Sequence, residues 1–483
     1  MQRTLFSEYF CEKLTQSEGI LAAPLQITES LLFDDSSDDF LEGVKNDQKV
    51  VSEKRAQKRK RKLSGTGSGN THMSAELVAF FCVARSFYPD IYGERGYKML
   101  RESSSLNEFL ALYETSKYPG RSTIHEQLSS LSEETLTSFW RCILNVASRE
   151  DMDDFSALIM DSTAITADSA WPVDSLILSK QALRILSELQ KTIQALPVTQ
   201  QRQLPLLRLE NHVKNIKKLD FEISCQKGKK NAKKVRDSLY KKLLESAEKV
   251  EQRVEQLLSK MDHLGVEVKR VMDFNEVCKN FYDKILTTQR RFGINLEDCG
   301  AYEPENVHSV ADPDASFINK GGRETVFGYR PTFGQSINGF ITSFTLEPGN
   351  TSDAKAFEKV LQNHYENCQV NPLFISTDDG YPSKKNLDLA IEQGAALVSF
   401  AGSKGKAILG EELYESESYK EARKLRSASE ATISNLKNVR GLARFTVCGI
   451  KRIRQELIIN IIGYNLERMA AILKKSVSLE KAA

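Results

Sequence analysis

Acidic residues inside two short apolar segments constrain the fold of this chain more than any other feature. SALIMDSTAITA spans residues 156–167 with Asp161 in its interior, and NPLFISTDDG spans residues 371–380 with Asp378 and Asp379 near its end. Short apolar runs of this kind predict buried strands. A buried carboxylate is costly unless a positive charge lies beside it, and a metal ion meets that need. Taken alone, an acid at a strand end is more often a turn or helix cap.

Further segments extend this pattern into a sheet with helices. ETVFGYRPTFGQ and GFITSFTLEPGN predict a hairpin that turns at residues 336–339, and a helix is expected to begin near Ser352 or Asp353. SKKNLDLAIEQG then predicts a helix and AALVSFAG a further strand. The order is strand, long insert, two strands, helix, strand, helix, strand, which predicts a mixed α/β fold.

The 483 residues are too many for one ordinary core, so two or three domains are expected. Residues 1–73 combine an acidic patch, a basic run and a Gly/Ser stretch, which predicts a flexible leader and linker. Residues 74–150 predict a helical N-terminal domain for DNA binding or packing. Residues 151–471 form the predicted α/β domain, with a helical insertion at about 176–300, and residues 472–483 form a C-terminal tail.

The formal net charge of +2 hides a strongly basic segment in the predicted insertion. From Lys214 to Lys242 there are eleven Lys or Arg and three Asp or Glu. Such a field attracts a polyanion, and nucleic acid is the natural candidate, although a solvated helix face is the simpler interpretation. The candidate phosphate contacts are Lys229, Lys230, Lys233 and Lys234.

Cysteine spacing and hydropathy exclude several other classes of protein. The eight cysteines include no CxxC pair and no cluster with zinc-finger spacing, which predicts a reduced cytosolic protein. The first residues lack a signal-peptide pattern, and no apolar run approaches the roughly 18 residues of a membrane span. We therefore expect no membrane association.

A third candidate carboxylate lies among bases near the C-terminus. Arg426, Glu430 and Lys437 have the spacing R-x3-E-x6-K. In a helix, offsets of four and seven place all three side chains on one face. An exposed helix stabilised by ion pairs has the same pattern, so the spacing alone leaves both interpretations open.

Together these residues resemble the DDE transposases of bacterial insertion sequences, whose third carboxylate lies in the pattern Y-x2-R-x3-E-x6-K. Arg426, Glu430 and Lys437 match it, while Arg423 stands where the family has tyrosine. The family's second acid lies in D-x-G-Y followed by Ser and Asn, which selects Asp378 rather than Asp379. The matching positions are Asp378, Gly380, Tyr381, Ser383 and Asn386.

The first acid also has a family context. One subgroup has D-x-T followed by a Pro-x-Asp-Ser segment, and the chain resembles it at Asp161, Thr163, Pro172, Asp174 and Ser175. Similar likeness in the helical segments and in the predicted second and third strands extends the resemblance over about residues 74–471.

The resemblance implies a ribonuclease H-like mixed sheet with a long helical insertion after its first strand. It implies that Asp161, Asp378 and Glu430 are catalytic and hold two Mg²⁺ ions, for which Mn²⁺ can substitute. Arg426 and Lys437 would contact DNA or hold Glu430 in place. The implied substrates are double-stranded transposon ends and target DNA, bound by a homodimer associated with the nucleoid in the bacterial cytoplasm.

Two other functions remain open at this point. One is a nuclease or resolvase of the same fold that hydrolyses DNA without strand transfer. The other is a catalytically inactive DNA-binding derivative that works through the helical insertion. A strand-transfer assay separates the first from a transposase, and metal-dependent cleavage of any DNA counts against the second.

Overall fold

A computed structural model describes most of the chain. The described residues are 5–17, 19–59, 73–112, 118–169, 173–226, 232–266, 268, 274–292, 308–309, 312–319 and 325–480. The chain divides into two compact units. The first comprises Met1–Asp168 and Ser316–Ala483, and the second comprises Ser169–Ala315.

The described part of the first unit contains eight strands arranged in two sheets. They are β1 (Ala157–Ser162), β2 (Ile165–Thr166), β3 (Ser316–Ile318), β4 (Val326–Tyr329), β5 (Thr332–Gln335), β6 (Ile341–Thr345), β7 (Phe374–Thr377) and β8 (Leu397–Phe400). The larger sheet has the order β6-β5-β1-β7-β8, and the smaller has the order β2-β4-β3. β1 is antiparallel to β5 and parallel to β7, and β7 is parallel to β8. The predicted mixed α/β fold is confirmed.

The segment ETVFGYRPTFGQ forms two strands that belong to different sheets. β4 lies in the smaller sheet and β5 in the larger, and the chain breaks between them at Arg330 and Pro331. Proline has no N–H to donate to a ladder, which explains the break. The predicted hairpin is confirmed, because β5 and β6 are antiparallel and the Ser336 N–H bonds the Phe340 carbonyl at 2.8 Å.

Helices precede the sheet in the chain and pack in the same unit. They are α1 (Glu8–Thr15), α2 (Ala22–Leu32), α3 (Asp38–Arg59), α4 (Ala75–Phe87), α5 (Glu94–Arg101), α6 (Ser104–Leu112), α7 (Arg121–Ser130) and α8 (Glu133–Arg149). The Trp140 indole of α8 donates to the Ile341 carbonyl of β6 at 2.9 Å. The predicted separate domain at residues 74–150 therefore shares a compact unit with the sheet.

The structure corrects the expected flexible leader. Residues 8–59 are largely helical, and Leu14, Leu25 and Phe40 are fully buried. Phe40 stacks on Phe139 of α8 with ring centroids 4.5 Å apart. Apolar residues that recur between the charges bury one side of these helices, which the charge-rich composition conceals. The predicted Gly/Ser linker and the end of the basic run lie outside the described residues.

The second unit is built from helices. They are α9 (Asp174–Gln194), α10 (Val198–Gln201), α11 (Leu207–Ser224), α12 (Ala232–His263) and α13 (Phe274–Phe292). Their apolar faces form one core cluster. Asp174 pairs with Lys284 at 2.6 Å, and Ser175 donates to Asp220 at 2.7 Å. These two residues of the Pro-x-Asp-Ser segment thus tie α9 to α13 and α11, while Pro172 lies outside the described residues.

The remaining helices of the first unit follow the hairpin. They are α14 (Asp353–Cys368), α15 (Lys384–Glu392), α16 (Gly402–Leu409), α17 (Glu411–Tyr414), α18 (Glu417–Leu425), α19 (Ser427–Asn438) and α20 (Ile450–Glu480). The predicted helix start near Ser352 or Asp353 is confirmed, with Ser352 as the N-cap. Among the described residues, no helix is long and apolar enough to span a membrane.

Side chains from helices cover the edge of the larger sheet at β6. Asn465 of α20 exchanges two hydrogen bonds of 2.9 Å with the backbone of Ile341. His364 of α14 is fully buried, with Nδ1 2.7 Å from the Thr342 hydroxyl and Nε2 3.1 Å from the Phe155 carbonyl. A carbonyl only accepts, so Nε2 carries the proton. Polar contacts of this kind protect an edge strand from pairing with another chain.

His364 makes the stability of this edge dependent on pH. Burial lowers its pKa from 6.5 to about 4. The contribution of neutral His364 to the free energy of unfolding is fully present above the pKa of histidine in the unfolded chain. It is lost as the pH falls through the lower pKa of His364 in the folded protein. This contribution to the free energy of unfolding is about 3 kcal/mol, of which about 2 kcal/mol is lost by about pH 5. We expect His364→Gln, which does not titrate, to lose less stability on acidification than the wild type. Urea unfolding at about pH 7 and pH 5 measures this, and parallel losses would contradict it.

Candidate active site

Asp161 and Asp378 lie at the carboxyl ends of β1 and β7, which are inner strands of the larger sheet. β1 and β7 are parallel, with Met160 paired to Thr377. Asp161 directly follows Met160, and Asp378 directly follows Thr377. Neighbouring strands are about 4.8 Å apart, and residues opposite each other in a ladder face the same side. The central parallel pair of the sheet therefore delivers two carboxylates to one place.

The first turn of α19 contacts both aspartates. The Ser429 hydroxyl donates to the Arg426 carbonyl at 2.7 Å, and its oxygen lies 3.5 Å from Asp161 Oδ2. Arg426, which caps α19, lies 3.5 Å from Asp378 Oδ1 through one guanidinium nitrogen and 3.7 Å from Glu430 Oε1 through the other. The third predicted carboxylate is therefore linked to the second through Arg426, and the same helix turn reaches the first.

This group is open to solvent. Asp161 is half-buried, the Asp378 side chain is 47% exposed and that of Glu430 is 64% exposed. Within the described ranges, no three Asp, Glu, His or Cys side chains are close enough together to enclose a metal ion. Mg²⁺ commonly takes one or two carboxylates, several waters and substrate phosphate. The oxygen donors of Asp161 and Asp378 fit that requirement, and Glu430 is held beside Arg426.

The adjacent acids Asp378 and Asp379 face different partners. Asp378 accepts a hydrogen bond from the Asp379 N–H at 2.8 Å and pairs with Arg426. The Asp379 carboxylate lies against Gly402 at the start of α16, where a Cβ atom would collide with it. Gly402 has a φ of +79°, a conformation that favours glycine. Only Asp378 of the two contacts the Arg426 guanidinium.

The rest of the D-x-G-Y segment builds the turn after β7. The Ser383 hydroxyl caps α15 by accepting from the Asn386 N–H at 3.1 Å. The Asn386 amide donates to the Tyr381 carbonyl at 2.9 Å and to the Ala354 carbonyl at 3.0 Å. Tyr381 itself is buried. These motif residues thus fix the backbone that follows Asp378.

Lys437 and Arg423 have partners of their own. Lys437 donates to the Ala164 carbonyl at 2.8 Å, which joins the end of α19 to the chain between β1 and β2. Arg423, at the position of the family's tyrosine, lies over the ring of Tyr414 at 4.3 Å and that of Tyr419 at 5.2 Å. These are cation–π distances, so the substituted position remains packed against aromatic rings.

Lysines predicted to bind phosphate lie in the second unit. Lys233 and Lys234 are exposed on α12. Lys229 and Lys230 lie outside the described residues.

A comparison with protein families agrees with the resemblance predicted from the motifs. Residues 305–466 match the family model described as the transposase DDE domain. This segment is similar to that family, and the resemblance predicted from the motifs is confirmed. The match contains Asp378 and Glu430, and Asp161 precedes it. The family implies nuclease or transposition activity on DNA and generally uses divalent metal ions. Comparisons with curated proteins and with solved structures gave no match.

The contacts of the adjacent acids generate a prediction. We expect Asp378→Asn to abolish cleavage of DNA carrying the transposon ends, because Asp378 lies beside Asp161 at the sheet edge. Asp379→Asn should keep a substantial part of the activity, because its carboxylate lies against α16. Both variants are to be compared in one divalent-metal titration after circular dichroism shows that they fold. An inactive Asp379→Asn beside an active Asp378→Asn would shift the assignment by one residue.

Proposed function

We propose that this protein is a DNA transposase that binds the terminal inverted repeats of an insertion sequence, hydrolyses phosphodiesters and transfers the freed strand to target DNA. One observation carries the proposal. Two carboxylates at the ends of the central parallel strands contact the same helix turn that bears the third carboxylate, Glu430. The family match over residues 305–466 supports it.

We further assign the larger sheet to the ribonuclease H-like class. Numbered by their order in the chain, its five strands lie in the order third, second, first, fourth, fifth. The first three are antiparallel neighbours, and the last two run parallel to the first. This arrangement supports the assignment because it places the first and fourth strands, which bear the acids, side by side.

In this function Asp161, Asp378 and Glu430 would hold Mg²⁺ or Mn²⁺. The bound metal would supply activation of the attacking oxygen and stabilisation of the leaving oxygen, which is the chemistry of two-metal sites. Arg426 offsets the repulsion between Asp378 and Glu430. Its side chain is 29% exposed, so it is also able to meet a phosphate of the DNA.

The metal dependence of the proposed reaction is tested at Asp161. We expect cleavage of terminal-repeat DNA to require Mg²⁺ or Mn²⁺ and to be lost in Asp161→Asn, because an amide lacks the negative charge that holds the ions. DNA binding, measured by fluorescence anisotropy, should largely survive. The substrate is DNA that carries the inverted repeats that we expect to flank the gene.

Two controls separate the alternatives. Full cleavage in excess EDTA would exclude the metal mechanism. Metal-dependent cleavage without joining to a target plasmid would indicate a nuclease or resolvase instead of a transposase. Absence of cleavage in the wild type, with DNA binding retained, would indicate an inactive DNA-binding derivative.

We also propose that the basic helical unit binds DNA phosphates without reading sequence, and that two copies of the chain pair on the transposon ends. Exposed lysines on α11 and α12 support the first part, because phosphate contacts come from such side chains. Light scattering of the complex with terminal-repeat DNA tests the second part.

Charge reversal on α12 tests the phosphate contacts. We expect Lys233→Glu/Lys234→Glu to weaken binding to all DNA sequences and to flatten its salt dependence. Each lost phosphate contact should reduce the slope of log K against log salt by about 0.9. The matched control is Lys249→Glu/Lys260→Glu, which reverses two exposed lysines of the same helix outside the basic segment. Equal slopes for all three proteins would show that Lys233 and Lys234 do not contact DNA.

A further inference from the structure

Arg330 connects the strand end that carries Asp161 to the start of α14. It lies in the break between β4 and β5, and its side chain is 16% exposed. Its Nε donates to the Ser162 hydroxyl at 3.2 Å, and another guanidinium nitrogen pairs with the Asp353 carboxylate. The planar guanidinium fork holds two partners in a fixed geometry, which a lysine does not do. Ser162 directly follows Asp161, so Arg330 is one residue away from the first candidate ligand.

Asp353 continues this connection to the loop that carries Asp378. It is the first residue of α14, and its carboxylate lies against Gly380, where a Cβ atom would collide with it. Gly380 lies two residues after Asp378. A side chain in place of the glycine of the D-x-G-Y segment would therefore have to displace the Asp353 carboxylate.

Tyr381, the residue after Gly380, is buried. Its side chain is 1% exposed. Burial raises the pKa of Tyr381 well above its usual value, and the carboxylates of Asp353 and Asp161 raise it further, whereas Thr332 and Arg330 lower it.

We propose that Arg330 and Asp353 are positioning residues that hold the loop carrying Asp378 at a fixed place relative to the strand end carrying Asp161. The pairing of β1 and β7 brings the two aspartates together, but Asp378 lies one residue beyond the last pair, so the ladder alone does not fix the loop that follows it. The contacts from Ser162 through Arg330 and Asp353 to Gly380 bridge the same two segments beyond that point. The catalytic consequence rests on the proposed function, but the positioning itself is measurable without DNA or metal.

Two carboxylates on α14 allow a matched comparison, because one faces Arg330 and the other forms an exposed ion pair. Asp353→Asn removes the charge that faces Arg330. Glu358→Gln removes the charge that pairs with Lys385 at 2.8 Å on the exposed side, where ion pairs contribute little. Arg330→Lys keeps a positive charge but loses the fork.

The first measurement is hydrogen exchange of the full-length protein, followed in peptides that cover residues 374–383. We expect Asp353→Asn to speed exchange there by about tenfold or more, because a charge-assisted contact is lost, while peptides from α8 stay unchanged. Arg330→Lys should show a smaller increase, and Glu358→Gln should match the wild type. Unchanged exchange in Asp353→Asn, or equal acceleration in all peptides, would overturn the proposal, because the pair would then be dispensable or merely stabilising.

The second measurement is the Mn²⁺ concentration that gives half of the maximal rise in melting temperature. Residues that orient metal ligands typically change metal affinity about 10- to 100-fold when mutated. We expect a shift of that size in Asp353→Asn and none in Glu358→Gln. An unshifted Asp353→Asn would overturn the effect on the ligands. If the wild type shows no response to Mn²⁺ and no cleavage, the proposed function fails, and the exchange data still decide the positioning.

Discussion

The parallel pairing of β1 with β7 is the constraint on which the candidate site depends. It places Asp161 and Asp378 next to each other, and two neighbouring carboxylates repel unless a positive charge lies nearby. Arg426 supplies that charge to Asp378, and the polar Ser429 hydroxyl lies 3.5 Å from Asp161. Both come from the start of α19, so the position of this helix and the charge balance at the sheet edge depend on each other.

Much of this arrangement is predictable from the sequence because it follows from local patterns. The apolar runs before Asp161 and Asp378 predict the strands, and R-x3-E-x6-K predicts that Arg426 and Glu430 share a helix face. The spacing does not show that α19 begins at Ser427, so that Arg426 is its cap and reaches Asp378 as well as Glu430. That contact joins residues almost fifty positions apart, and no periodicity encodes it.

Other contributors have no pattern that identifies them in advance. Ser429 lies between charged residues and resembles any helix-surface serine, yet it is buried and contacts Asp161. Arg330 and Asp353 lie in segments predicted only as strand and helix start, and their pairing depends on how the hairpin and α14 meet. The helices of residues 8–59 are not predicted for a related reason, because composition records their charges while burial depends on the few apolar residues between them.

The smaller sheet explains how a large helical unit interrupts the fold without disrupting the larger sheet. β2 precedes the insertion and β3 follows it, and both pair with β4 on its two sides. The two ends of the insertion are thereby held two strand spacings apart, or roughly 10 Å. The entropy cost of closing a loop grows only slowly with its length. A unit with its own core also adds stability of its own. β2 has only two residues, and the sequence pattern predicts β4 and β5 as one strand. The pairing of β2 and β3 with β4 is therefore not predicted from the sequence. Its register also fixes where the chain returns to β5, and hence where Arg330 stands beside Ser162.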